Sequence, residues 1–102
     1  MPYESHFAAL AHPLRQQILD RLTQAPASVR ELTDVLEASQ PVVSQHLKVL
    51  RDTGLVTVTP EGAKSIHHVN AKELNLLRAH LEQHWQMSLD RLEDMLNDDP
   101  PA

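Results

Sequence analysis

The sequence predicts a mainly α-helical domain that carries one β-hairpin. Five segments repeat apolar residues every three or four positions, which is the period of an amphipathic helix. One segment, residues 55–70, instead begins with an alternating β-branched run and continues through a Pro-Glu-Gly turn to a stretch that can pair back. The chain has 102 residues, the length of one small domain.

The N-terminal part of the chain predicts two helices separated by a proline. Residues 4–10 form the first helix, in which Phe7 and Leu10 face inward. Pro13 opens the second helix, because the first turn of a helix needs no amide donor. The second helix extends to Gln24, and its apolar residues recur every four positions, at Leu14, Ile18 and Leu22.

Two further short helices follow and are joined by a tight turn. Ser28 and Glu31 stand three positions apart in the pattern of a capping box, which places the start of the third helix at Ser28. Ser39 is expected to cap the fourth helix, Pro41 lies in its first turn and Gly54 ends it. A pair of short helices joined in this way is typical of a helix-turn-helix unit.

The fourth helix is amphipathic, and its outer face carries hydrogen-bonding and basic groups. A helical wheel collects on one side Val42, Val43, His46, Leu47, Val49 and Leu50. The opposite side collects Gln40, Ser44, Gln45, Lys48, Arg51 and Asp52. Glutamine, serine and basic side chains on a helix suit the base edges and phosphates of a DNA major groove. A solvated surface helix is the alternative interpretation of this segment taken alone.

The hairpin follows the fourth helix directly. Residues 55–59 are predicted as its first strand, residues 60–63 as its turn and residues 64–70 as its second strand. Ile66 is the clearest inward residue of the second strand. Helices followed by one hairpin describe a winged helix-turn-helix domain.

A long fifth helix, capped by Asn70, is predicted from Ala71 to Leu96. Its apolar stripe continues through six turns, at Leu74, Leu77, Leu81, Trp85, Leu89, Leu92 and Leu96. Because a small domain cannot bury all of that stripe, we expect a homodimer formed by the N- and C-terminal helices. The expected interface residues are Phe7, Leu10, Leu81, Trp85, Leu89 and Leu92. A helix folded back on its own core is the alternative.

The domain is therefore expected to span residues 1–96. Residues 97–102 are polar and proline-rich and are expected to form a disordered tail.

Charge and composition narrow the class of function. The net charge is −5, but residues 39–72 hold four Lys/Arg against two Asp/Glu and form the positive part of the chain. Cysteine is absent, which excludes disulfides, thiolate nucleophiles and thiolate metal sites. No apolar run has the length of a membrane span and no signal-peptide pattern occurs, so we expect a cytoplasmic protein without membrane association. No enzyme activity is expected, since the sequence has neither a nucleophile-turn motif nor a glycine-rich phosphate loop.

Four stretches resemble the ArsR/SmtB family of winged helix-turn-helix regulators in order and spacing. They are ALAHPLRQQIL at 9–19, SVREL at 28–32, SQPVVSQHLKVLRDTGLV at 39–56 and EGAKSIHHVN at 61–70. The third is the longest and most specific, and the resemblance covers about residues 5–96. It implies a homodimeric transcriptional repressor that binds double-stranded DNA at an inverted-repeat operator.

The family's recognition positions correspond to Gln40, Ser44, Gln45 and Lys48. The full set of expected DNA-contacting residues is Ser39, Gln40, Ser44, Gln45, Lys48, Arg51 and Lys64. Family members often carry an arginine in the wing where this chain has Ala63, so wing contact with DNA depends on Lys64. His46 matches a frequent family histidine, and we predict a packed, hydrogen-bonded residue rather than a DNA contact.

Many members of this family bind metals, which makes the histidines of this chain candidate ligands. His80 and His84 lie four positions apart on one helix face and could chelate zinc or nickel, with His6 or a partner histidine as a third ligand. Met87 and Arg91 follow on that face, and Arg91 would repel a cation. We therefore expect no metal and no cofactor. The sequence does not identify an effector. The alternatives are a metal-responsive repressor using this histidine pair and a dimeric protein-interaction module that has lost DNA binding.

Overall fold

The computed structural model of the protein describes residues 3–98 and contains five helices and three strands in that range. In chain order these are α1 (Glu4–Leu10), α2 (Pro13–Gln24), β1 (Ala27–Ser28), α3 (Val29–Leu36), α4 (Gln40–Asp52), β2 (Val56–Glu61), β3 (Lys64–Val69) and α5 (Ala71–Asp98). The predicted mainly α-helical, winged helix-turn-helix fold is confirmed.

The sheet has three antiparallel strands in the order β1-β3-β2, where the sequence predicted only a two-stranded hairpin. The additional strand, β1, consists of Ala27 and Ser28, which lie opposite His67 and Ile66 of β3. Two residues are too few to show an alternating pattern, which explains why the prediction missed this strand. The hairpin of β2 and β3 is the wing, and β1 connects the middle of β3 to the start of α3.

The turn of the hairpin is shorter than predicted. Strand β2 continues to Glu61 and β3 begins at Lys64, so Gly62 and Ala63 alone form the turn, and the predicted turn over 60–63 was wrong by two residues. Gly62 has a φ of +63° at the first position of this two-residue loop, where hairpin geometry favours glycine. Pro60 lies inside β2, which tolerates proline because it is an edge strand.

One hydrophobic core lies between the helices and the sheet. Its fully buried large residues are Ile18, Leu32, Val43, Leu47, Leu50, Leu55, Val56 and His67. Val42, which the helical wheel placed on the apolar side of α4, is 40% exposed, because the buried arc of this helix is narrower than predicted. The inward residue of β3 is His67 and not Ile66, which is only half-buried; the prediction for this strand was wrong.

The two ends of α4 are held by different means. Ser39 is its N-cap residue, but the serine side chain makes no capping hydrogen bond, so the predicted cap is not formed. The preceding turn places Glu37 in the left-handed region, with a φ of 52°. At the other end Gly54, with a φ of +81°, donates to the Arg51 carbonyl at 2.9 Å, and Leu55 donates to the Leu50 carbonyl at 3.0 Å. This pair of bonds is a Schellman motif, which confirms Gly54 as the end of the helix.

Helix α5 begins as predicted and ends later. The Asn70 side chain accepts a hydrogen bond from the Glu73 amide at 3.2 Å, which confirms the cap. The helix continues to Asp98, so residues 97 and 98 of the predicted tail are helical. Residues 99–102 lie outside the described part of the chain. With 28 residues, α5 is about 42 Å long, far longer than the core beneath it.

Candidate nucleic-acid interface

The outer face of α4 presents most of the residues that the sequence assigned to DNA contact. Gln40, Gln45, Lys48 and Arg51 are exposed, as is Ser39 just before the helix. Ser44 is half-buried, because it borders the arc of Val43, Leu47 and Leu50 that packs into the core. The helix therefore packs against the domain along one side and is exposed to solvent along the other.

Lys48 is an exposed cation of this face. Its Nζ donates to Asp52 Oδ2 at 3.0 Å, one helical turn away, and both side chains are exposed. An exposed ion pair of this kind contributes less than about 1 kcal/mol. Lys48 can thus exchange Asp52 for a phosphate at little cost, while the Asp52 carboxylate remains on the same surface as a negative charge.

Arg51 is tied to the sheet by a hydrogen bond that the sequence did not reveal. Its Nη1 donates to Nε2 of the buried His67 at 3.1 Å. Because a guanidinium only donates, the imidazole accepts and is neutral, with its proton on Nδ1. That Nδ1 is buried and makes no hydrogen bond of normal geometry.

The environment of His67 favours its neutral form. Burial lowers the pKa of His67, and the Arg51 charge lowers this pKa further. The backbone groups of Ala27 and Ser65 raise the pKa of His67, but by less. Arg51 therefore links the last turn of α4 to β3, and any contact with phosphate has to be made from this anchored position.

His46 lies on the inner side of α4, where it joins this helix to α2. Its Nδ1 accepts a hydrogen bond from Arg15 Nε at 3.1 Å, and the His12 ring packs against it with a centroid separation of 4.3 Å. Burial lowers the pKa of His46, and His12 and Arg15 lower it further. The prediction of a packed, hydrogen-bonded histidine is confirmed.

A groove of about 560 Å³ lies between α3, the start of α4 and the wing. It brings Gln40 and Lys64, both assigned from the sequence, to the same place and adds Arg30, which the prediction omitted. Glu31 also lines the groove and forms the confirmed capping box with Ser28. The hydrogen bonds to Ser28 lower the pKa of Glu31, and the nearby charges of Lys64 and Arg21 lower it by smaller amounts. The available signal for Arg30 was its position two residues after the capping serine, in the first turn of α3.

The apolar stripe of α5 leaves the domain after Leu77. That residue is buried, whereas Leu81 is 39%, Trp85 56%, and both Leu89 and Leu92 54% exposed. Of the expected interface residues on α1, Phe7 and Leu10 are half-buried and pack against the core. The expected interface residues of α5 are therefore exposed in the protomer, whereas those of α1 pack against its core.

The histidine pair of α5 faces α1. The Tyr3 ring packs on His80 at a centroid separation of 4.7 Å, and a cavity of about 280 Å³ is lined by Phe7, His80, Leu81 and His84. His6, the third ligand considered above, donates from Nε2 to Glu73 Oε1 at 2.7 Å. Among residues 3–98 no three His, Asp or Glu side chains are arranged to hold a metal ion. Within the same range, no helix is both long and apolar enough to cross a bilayer.

Comparison with known proteins identifies the family to which the chain belongs. A family model described as bacterial regulatory protein, arsR family, matches residues 12–58. The chain is 40% identical over 81 residues to the HTH-type transcriptional regulator Rv2034 of Mycobacterium tuberculosis, and the match covers 79% of this chain and 76% of that protein. It is 38% identical over 74 residues to the arsenical resistance operon repressor of Bacillus subtilis, which covers 72% of this chain and 70% of that protein.

A solved structure with the same fold is the homodimeric winged helix-turn-helix DNA-binding domain of a possible ArsR-family regulator from Mycobacterium bovis. It superposes with a TM-score of 0.70 and 24% identity, covering 88% of this chain and 83% of that chain. By their descriptions, the two relatives named above are a transcriptional regulator and a repressor. The chain belongs to the ArsR family of bacterial transcriptional regulators.

Proposed function

We propose that the protein is a repressor that binds an inverted-repeat operator as a homodimer, with α4 of each protomer in successive major grooves. The observation that carries this proposal is the two-sided character of α4. Val43, Leu47 and Leu50 anchor it in the core, while Gln45 and Lys48 project from the opposite side. A helix held in this way can enter a groove without losing its packing.

The residues of the interface divide into base-reading and phosphate-holding groups. Ser44 and Gln45 lie on the middle of α4 and are proposed to contact base edges, where a glutamine amide can form two hydrogen bonds with adenine. Lys48 and Arg51 on α4 and Lys64 in the wing are proposed to hold phosphates. The polar contacts of Ser39 and Gln40 and a phosphate contact of Arg30, which shares the wing groove with Gln40 and Lys64, complete the proposed surface.

The proposed dimer is symmetric and is formed by α5 and α1. In a twofold interface the same surface of both protomers is buried, so each copy contributes Leu81, Trp85, Leu89 and Leu92. The M. bovis domain with the same fold is a homodimer, which supports this assembly. Twofold protein symmetry matches an inverted repeat, with half-site centres about 34–36 Å apart.

The direction of regulation is proposed from the relatives. The B. subtilis protein is a repressor of an arsenical resistance operon. The present chain has no cysteine, so it has no thiolate with which to bind arsenite, and no effector is proposed for it. A cytoplasmic location follows from the same proposal, because the operator is there.

A competition assay tests DNA recognition. Operator sequences selected from random DNA by the wild-type protein are titrated by fluorescence anisotropy against scrambled DNA of the same length. Gln45→Ala should relax the preference among operator variants at the contacted position by about 1–3 kcal/mol. Lys48→Ala should weaken binding to all sequences alike and reduce the slope of log K against log salt by about one.

The exposed Gln17 of α2 offers a matched control. Gln17→Ala is the same type of substitution as Gln45→Ala, but it lies on a helix outside the proposed interface. It should leave both affinity and preference unchanged. Failure of the wild-type dimer to prefer any selected sequence over scrambled DNA would contradict the proposed function. An unchanged salt slope in Lys48→Ala would contradict the proposed orientation of α4.

A further inference from the structure

The end of α4, the end of the wing and the start of α5 meet at Asn70. Its backbone N–H donates to the Leu55 carbonyl at 2.9 Å, and its side-chain Nδ2 donates to the Gly54 carbonyl at 2.9 Å. Its Oδ1 accepts from the Glu73 amide at 3.2 Å, and its carbonyl accepts from Leu74 at 3.0 Å. We call Gly54, Leu55, Asn70 and Glu73 the Asn70 junction.

Both carbonyls that accept hydrogen bonds from Asn70 belong to the turn that ends α4. Gly54 and Leu55 are also the residues whose amides close the Schellman motif onto Arg51 and Leu50. One carboxamide thus fixes the last turn of α4 with its NH₂ group and the first turn of α5 with its oxygen. An aspartate would cap α5 equally well but has no hydrogen to donate to Gly54.

Helix α1 attaches to the same place through Glu73. The Glu73 carboxylate accepts the 2.7 Å hydrogen bond from His6, whose side chain is only 12% exposed. The Cγ atom of Glu73 also lies 4.0 Å from the position that a Cβ would take on Gly54. The two helices with the proposed dimer surface therefore meet the DNA-facing helix at one small set of contacts.

We propose that Asn70 is a positioning residue that fixes the angle between α4 and α5, and thereby the operator half-site spacing that the dimer accepts. This inference rests on the proposed function, because it requires a dimer joined through α5. In such a dimer the separation of the two α4 helices is set by how each α4 is held against its own α5. A junction that holds this angle rigidly selects one spacing, and a loose junction tolerates several.

The test compares spacing preference, which a general loss of stability would not change. Inverted repeats are built from the half-site that the wild-type protein selects, with the centre lengthened or shortened one base pair at a time. Asn70→Asp keeps the cap of α5 and removes the donor to Gly54. Its ratio of affinities for the best and the neighbouring spacing should fall about fivefold, equivalent to about 1 kcal/mol or one net hydrogen bond.

Asn75→Asp is the matched control, because it makes the same chemical change at an exposed position further along α5. It should keep the wild-type spacing profile. Asn70→Ser, which retains a capping hydroxyl but is too short to span to Gly54, should behave like Asn70→Asp, and it replaces that variant if the aspartate does not fold. Sedimentation and circular dichroism establish that each variant is a folded dimer.

An equal loss of affinity at every spacing in both Asn70 variants would overturn the inference and leave Asn70 as a structural cap. A wild-type spacing profile in both variants would overturn it as well. Failure of the wild-type protein to bind any inverted repeat is a different result, because it would refute the proposed function and this inference with it.

Discussion

Replacing Trp85 by alanine should separate the protomers without unfolding them. The side chain is 56% exposed in the protomer, so it is available for burial by a second copy. A tryptophan offers roughly 250 Å², of which about 140 Å² is then buried per protomer, worth about 3.5 kcal/mol each at about 25 cal/mol per Å². Both copies lose this contact in a symmetric dimer, so the upper limit is about 7 kcal/mol.

Because area bookkeeping sets an upper limit, we expect about half of that loss, which raises the dimer dissociation constant by about two orders of magnitude or more. Sedimentation across a dilution series measures this constant directly. Far-UV circular dichroism should not change, since Trp85 lies outside the core.

Leu76→Ala provides the control. Leu76 is also on α5 and is 47% exposed, but it lies nine positions from Trp85 and hence on the opposite side of the helix. It should leave the dissociation constant unchanged. A Trp85→Ala protein that dimerises like wild type, or a Leu76→Ala protein that loses the dimer, would refute the assignment of this face.

Three further predictions concern charge, pH and metal. Asp52→Asn removes a carboxylate beside Lys48, so affinity for operator and random DNA should both rise about threefold, and an unchanged affinity for random DNA would argue against this surface. Because burial and Arg51 lower the pKa of His67, the unfolded chain takes up a proton that the folded state resists. Stability should therefore be fully present above the ordinary histidine pKa of about 6.5 and fall as the pH drops below it. Thermal unfolding at about pH 7.5 and about pH 5 checks this expectation. A His67→Gln protein whose Tm falls between these two pH values by as much as that of the wild type would contradict it. A few equivalents of zinc, nickel or cobalt should leave operator affinity unchanged, because the described residues contain no three-ligand group at His80 and His84. A tenfold loss, about 1.4 kcal/mol of coupling, that disappears in His80→Ala/His84→Ala would make the protein a metal sensor.

The local sequence determined where most helices begin and end. Pro13, the Ser28–Glu31 capping box, Gly54 and the Asn70 cap all act where the sequence placed them. These signals are reliable because each depends on a side chain and a backbone group only a few residues apart. The uninterrupted apolar stripe of α5 is also a local pattern, because it repeats every three or four residues. The expectation of a dimer follows from the length of this stripe.

Tertiary structure alone decided which groups meet across the domain. Strand β1 forms because β3 offers it partners, and His67 is the inward residue of β3 because that register places it opposite Ala27. Arg51 looked like a free phosphate ligand, yet its guanidinium is bonded to a histidine sixteen positions away.

The second bond of Asn70, to Gly54, likewise spans sixteen positions and connects two helices that the sequence treats as separate. Helical period and capping patterns describe one element at a time. They carry no information about the relative placement of elements, which is set by packing between residues distant in the chain.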